Sequence, residues 1–238
     1  PKGPSHGEIY RDEAIRAARS DAIFYLCDDD LLLPEHVADL LELLETHNFV
    51  QCMNSFITTT GQLELVASDL SQPRIVLWHV TERPFFNSTS LTGTAHSKEF
   101  YLRVGQPWST ALDGCPPDVF QWRRLMAHPD FSGATSRRVT ALQLPTSMGR
   151  EAQDQSARAA ELARWAAVVA DRDAQQVIDG LAHQAAMRQL VQVSIGHEKL
   201  RRSVLREWSR PSRRVARGMR RLLGRPTAVP PDGLIHPQ

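Results

Sequence analysis

Apolar and polar residues alternate along this chain in two periods, and the elements follow from where each period holds. In EIYRDEAIRAAR, residues 8–19, Ala14, Ile15 and Ala18 fall on one side of a 3.6-residue repeat, which predicts a short helix after the loop PKGPSHG. AIFYLC, 22–27, is too short and too continuously apolar for a surface helix and predicts a buried strand of the parallel type. Three aspartates follow at 28–30. Pro34 then leads into a helix over 35–46 with Val37, Leu40, Leu41 and Leu44 on its apolar face. Residues 49–67 hold two strand-like runs around a Thr-Gly turn, and RIVLWHV, 74–80, reads as a third. Further on, Ser97 is an N-cap for a short helix in SKEFYLRV, Pro117 opens a helix carrying DVFQWRRLM, and 137–145 is a last strand. From 150 to about 193 the composition shifts to Ala, Gln and Arg, as expected of one or two long helices packed on the sheet.

A helix, a strand, an acidic cluster and a helix followed by further strands point to the α/β class. Ligands in such sheets collect at the carboxyl ends of strands, where the aspartates stand. The expected organisation is a sheet-bearing core over 1–149, a helical extension over 150–196, a basic amphipathic segment over 197–225 and an unstructured tail over 226–238.

Composition narrows the classes of function. The chain has 238 residues, 42% of them apolar, and a net charge of +1, enough for a real core and too balanced for a specific nucleic-acid binder. Three cysteines without CxxC spacing suit reduced thiols and a cytoplasmic setting. No apolar run approaches bilayer-spanning length, so the expected membrane contact is peripheral, at the inner face of the plasma membrane. Residues 199–225 are densely basic with interleaved Leu, Val, Trp and Met. Over 212–223, Val215, Met219, Leu222 and Leu223 lie near one face. Such a segment suits an anionic lipid surface or a solvated tail, and on nucleic acid it would give only non-specific contact.

Three adjacent carboxylates repel one another unless a cation lies among them. A turn capping the next helix accounts for one aspartate, not three. Hard oxygen donors without His or Cys beside them suit Mg²⁺ or Mn²⁺, held with open positions for phosphate oxygens, so the expected ligand is a metal-bridged diphosphate. The loop lacks the alternating ligands and glycine of an EF-hand.

YRDEAIRAARSDAIFYLCDDDLLLPEHVADLL resembles the central segment of family-2 glycosyltransferases of the GT-A fold, in which an Arg-bearing helix, a strand, a DXD-type motif and a Pro-initiated helix follow in order. PPDVFQWRRL is similar to that family's acidic helix start, with Asp118, Trp122 and Arg124 matching in spacing. Over residues 7–145 the resemblance implies a GT-A-like, Rossmann-like mixed sheet and a metal-dependent, inverting transfer of a sugar from a nucleoside-diphosphate sugar to a hydroxyl of a glycan, lipid or other acceptor. Asp29 is implied as the leading ligand for Mn²⁺ or Mg²⁺, with Asp28 and Asp30 as further ligands or nucleotide contacts. Arg11 is implied near the nucleotide phosphates and Asp118 as the base, kept ionised by its place in a first helical turn. Cys27 stands where many members begin the motif with Asp, which leaves the choice among the three aspartates open. The family's first two strands, which hold the nucleoside base, have no counterpart before residue 7, so the core is expected to be N-terminally incomplete and this chain to bind nucleotide poorly.

Plainer roles stand beside these. Trp122 suits core packing better than a sugar platform, and Arg124 an ion pair with a nearby acid. His36, His79, His96 and His128 have no metal-ligand spacing and read as surface or packing residues, with His96 in a segment that could line an acceptor pocket. SLTGT lacks the context of a phosphate loop, and no second acidic cluster supports a two-metal phosphohydrolase. The competing class is a non-catalytic, glycosyltransferase-like binding or scaffold module held at a membrane by its basic segment.

Overall fold

The computed structural model describes residues 7–82, 85–111 and 114–209, with side chains to residue 203. The expected helix at 212–223 and the tail at 226–238 lie outside the described residues. Two compact units are distinguished, residues 1–188 and 189–238. No helix among the described residues is long and apolar enough to cross a membrane.

The first unit is a mixed α/β body built outward from β3 (Phe49–Gln51), all three residues of which are buried. Successive side chains of a strand point to opposite faces, and both faces of β3 are covered. Phe49 joins Tyr25, Tyr101, Trp108 and Trp122 in an aromatic cluster, whereas Val50 joins Leu40, Cys52, Ala95 and Ala134 on the other side. Strand β3 pairs antiparallel with β6 (Thr94–Ser97) and parallel with β7 (Gly133–Thr135), and β6 pairs antiparallel with β1 (Ala22–Phe24), giving the order β1-β6-β3-β7. Two smaller pairs complete the strands. In one, β2 (Leu31–Leu32) pairs with β8 (Ala141–Leu142); in the other, β4 (Asn54–Ile57) and β5 (Leu63–Val66) form a hairpin whose turn uses Gly61 at φ +78.

Helices α1 (Glu8–Ala17), α2 (His36–Leu44), α4 (Lys98–Val104) and α5 (Pro117–Met126) form where the periodicity places them. Ser97 caps α4 by accepting from the Phe100 amide at 3.1 Å. The inward face of α2 is His36, Leu40, Leu43 and Leu44, with Val37 and Leu41 turned out to solvent. The apolar stripe is therefore rotated from the one its leucines and valine suggested, because buried His36 donates to or accepts from Thr140 at 2.9 Å.

Three expectations are corrected. Residues 22–27 form a three-residue antiparallel strand, half-buried because it is paired on one side only, with Leu26 57% exposed. Residues 74–80 form helix α3 (Pro73–Thr81), since Pro73 sets its first turn and Ile75, Val76, His79 and Val80 face inward at helical spacing. The strand at 137–145 contracts to Ala141–Leu142. The helical region holds α6 (Gln155–Val169) and α7 (Ala174–Ser209), and Leu162, Trp165, Ile178 and Ala185 cover Leu33, Ile57, Leu63 and Leu142. The division at residue 188 falls inside α7.

Candidate active site

Tyr25, the last buried residue before the aspartates, is fixed by a chain of hydrogen bonds. Trp108 Nε1 donates to the Tyr25 hydroxyl at 3.1 Å, the hydroxyl lies 2.7 Å from His96 Nε2, and His96 Nδ1 lies 3.0 Å from the Ser97 carbonyl. That carbonyl can only accept, so Nδ1 carries the proton and Nε2 accepts from Tyr25. Burial holds His96 neutral, its pKa lowered to about 4. It is a core residue and lines no acceptor pocket. His36 and His79 are likewise buried, and His128 packs edge-on against Phe100.

Past Tyr25 the chain turns. The Cys27 amide donates to Thr92 Oγ1 at 2.9 Å, and the three aspartates then part company. Asp30 accepts from the Leu144 amide at 3.0 Å. Burial raises its pKa, against the hydrogen bonds from Thr92 and Leu144, and the charges of Asp29 and Asp28 push it further up. Asp29 accepts from Arg158 of α6 at 2.8 Å, and the same guanidinium nitrogen donates to the Leu144 carbonyl at 2.8 Å. Behind it, the fully buried Arg150 makes a two-pronged pair with Glu161 at 2.8 and 2.6 Å. Asp28 is exposed.

Asp28 and Arg11 line one cleft of about 610 Å³ between α1 and β1, together with Ile15, Ile23, Tyr25 and Leu91. The Arg11 guanidinium stands 4.9 Å from the Trp108 ring centre, a cation–π contact that holds it against the core. A second cleft of about 600 Å³, between α3, α5 and β7, is lined by apolar residues, serines and two histidines and holds no carboxylate.

Asp118 is the second residue of α5, half-buried, with its carboxylate accepting from the Val119 amide at 2.9 Å. The expected helix-terminal preference for the ionised form is present but outweighed: burial raises the Asp118 pKa, while the hydrogen bonds of the turn and the charge of Arg11 lower it. Arg11 also lowers the Cys27 thiol, whose net shift is upward through burial. Its field thus reaches both the acidic turn and Asp118, although Asp118 does not line the cleft that Asp28 and Arg11 share.

Trp122 is wholly buried and meets Tyr25, Phe49 and Trp108 edge-on, so it is packing and not a sugar platform. Among the described residues Arg124 pairs with no acid. It donates to Gln106 Oε1 at 2.7 Å, the Pro107 carbonyl at 2.9 Å and Ser109 Oγ at 2.9 Å, bracing the loop before α5. Cys27 and Cys52 are free thiols.

Among the described residues no group of three or more His, Cys, Asp or Glu is arranged to hold a metal ion. With Asp29 on Arg158 and Asp30 on Leu144, the donor set does not fit a three-carboxylate cage. Of the three, Asp28 is the one that lines the cleft shared with Arg11. Arg158 was not legible as part of this region, because it lies 129 residues from Asp29 on a helix whose own pattern speaks only of packing. Compared with models of known protein families the chain matches none, and no curated protein matches it.

Proposed function

We propose that this chain is part of the catalytic core of a metal-dependent, inverting glycosyltransferase of the GT-A fold, moving a sugar from a nucleoside-diphosphate sugar to an acceptor hydroxyl at the cytoplasmic face of a membrane. The observation that carries this reading is that Asp28 and Arg11 share one cleft at the end of β1. A diphosphate with its divalent cation presents both signs of charge, and the two residues answer both. Asp28 would hold Mg²⁺ or Mn²⁺ together with phosphate and water oxygens, and the ion would supply Lewis-acid neutralisation of the leaving diphosphate. Arg11, already ordered on Trp108, offers donors to phosphate oxygens. Asp118 takes the acceptor hydroxyl proton as that oxygen bonds to the anomeric carbon. The bond to the diphosphate breaks on the opposite face, its electrons leaving with the nucleotide, and the configuration inverts. A carboxylate raised by burial is a stronger base than a solvated one, which suits that role.

Calorimetry with a panel of nucleoside diphosphates, with and without Mn²⁺, tests the reading on this chain and on an upstream-extended version. Asp28→Ala is expected to weaken Mn²⁺-dependent binding by roughly tenfold or more, a loss of about 1.4 kcal/mol. Asp118→Asn is expected to lower turnover by about 10²–10⁴-fold with donor binding intact. If the extended version binds no nucleotide, or Asp28→Ala binds as the wild type does, the transferase reading is wrong.

The second reading, a non-catalytic module with the same fold, is favoured by the Asp29–Arg158 and Asp30–Leu144 bonds, which give two of the three acids structural work. The same calorimetry separates the two, because a scaffold has no reason to bind nucleotide through Asp28.

A further inference from the structure

We infer that the second unit is a peripheral docking element for an anionic bilayer, and that its lipid-facing surface begins within α7, well ahead of the basic segment at 212–223. Leu190, Val193, His197 and Leu200 recur at intervals of three and four residues, the spacing that puts side chains on one face of a helix. Leu190, Val193 and Leu200 are 58, 69 and 63% exposed, whereas aliphatic side chains at this spacing on a surface helix ordinarily face a core. Lys199, Arg201 and Arg202 are exposed beside this ladder.

Charge selects the occupant. Eleven of the 28 Lys and Arg of the chain fall in residues 199–225, against a single acid, Glu207. A second copy is a poor partner for this face. Two such helices side by side would bring like charges together, and the half-buried acid nearest the ladder, Glu198, is already bonded to Arg201 and Arg202 of its own helix at 2.8 and 2.7 Å. A polyanion without an apolar phase, such as RNA, would satisfy the arginines and leave the aliphatic ladder in water. An anionic membrane satisfies both, the ladder entering the acyl boundary and the cations meeting headgroups.

The test is flotation of the full chain with phosphatidylcholine vesicles and with vesicles that also contain phosphatidylglycerol. Its outcome is independent of any nucleotide chemistry in the first unit. Binding is expected to favour the anionic vesicles by roughly tenfold or more and to fall as salt shortens the screening length from about 10 to about 3 Å. Leu190→Glu, Val193→Glu and Leu200→Glu together are expected to abolish it. These side chains are exposed, so circular dichroism should show unchanged helix content. Arg201→Gln with Arg202→Gln should weaken binding to anionic vesicles while leaving the residual binding to neutral ones unchanged. Equal binding to both vesicle types, or no binding, overturns the proposal. So does a wild-type dimer in light scattering that the triple glutamate variant converts to monomer.

Discussion

Arg158→Gln removes the guanidinium that answers Asp29 and leaves a side chain of similar length. At about 4 Å between charge centres the gross attraction is about 4 kcal/mol under the screening typical of a protein surface. Little of this survives as net stability, because Asp29 is 36% exposed and Arg158 20%, and exposed pairs are worth about 0–1 kcal/mol. The lost donation to the Leu144 carbonyl adds about 1 kcal/mol. The expected destabilisation is therefore about 1–2 kcal/mol, a fall in Tm of about 2–8 °C for a chain of this size. Metal affinity should move the other way. A divalent cation held at Asp28 would be repelled by the guanidinium bonded to the next residue, on the order of 1 kcal/mol under water-like screening. Removing that charge and freeing Asp29 should tighten Mn²⁺ binding by roughly fivefold. Thermal unfolding and Mn²⁺ titration by electron paramagnetic resonance read the two effects separately. Arg158→Lys, which keeps the charge and loses the planar fork, should be destabilised while keeping the wild-type Mn²⁺ affinity. If Arg158→Gln leaves both quantities unchanged, or loosens Mn²⁺ binding, the guanidinium is not the counter-charge of the acidic turn.

Three further outcomes follow from buried ionisable groups. Glu161→Gln leaves Arg150 buried without its charge partner and should cost about 3–5 kcal/mol in chemical denaturation, whereas replacing both by apolar residues of similar volume should cost far less. Hydrogen bonds from Arg150 lower the Glu161 pKa, so that contribution is present above its unfolded value and is lost as pH falls through the folded one. His96 titrates at about 4 folded against 6.5 unfolded. The unfolded chain therefore binds the extra proton between those values, and stability should decline as pH falls from about 6.5 to about 4, by about 3 kcal/mol for this residue. His96→Gln, followed by acid titration of circular dichroism, should flatten that decline. For Asp118 the sign is opposite: a raised carboxyl pKa favours folding in acid and costs stability above the folded value. Asp118→Asn should therefore be more stable than the wild type at neutral pH, and the difference should vanish in acid.

Local chemistry made the helices readable. Ser97 before α4 and Pro117 at the start of α5 act within one turn of themselves, and both act as the sequence suggests. Strands β6 and β7 were hidden for the opposite reason. The strand residues of β6 and β7 are Thr, Ala, His, Ser and Gly, and their burial comes from neighbours on both faces, which no alternation of large and small side chains announces. Helix α3 misled because Ile75 and Val76 satisfy strand preference as well as helix packing, and contact with α5 decides between them. At the site, only the family resemblance put Arg11 and Asp28 in one region, and the two line one cleft. The division of labour among the aspartates was not legible, since Leu144 and Arg158 reach them from 114 and 129 residues away.

Those distant partners also explain why the helical region belongs with the sheet. If α6 and the first turns of α7 were an appendage, Leu33, Ile57, Leu63 and Leu142 would meet water, and Arg150, with no exposed side-chain surface, would lose the carboxylate that makes its burial tolerable. Arg188 continues the attachment by donating to the Leu63 carbonyl at 2.6 Å. The change of composition at residue 150 marks a change of secondary structure, because Ala-rich helices and β-branched strands differ in propensity. A domain boundary depends instead on which apolar faces cover one another. Here the Leu162, Trp165 and Ile178 face has its complement in the β4–β5 hairpin and the β2–β8 pair. Asp29 sits where that second layer meets the end of the sheet, so the residue that looked most like a metal ligand in the sequence is the one that the fold uses as a tie.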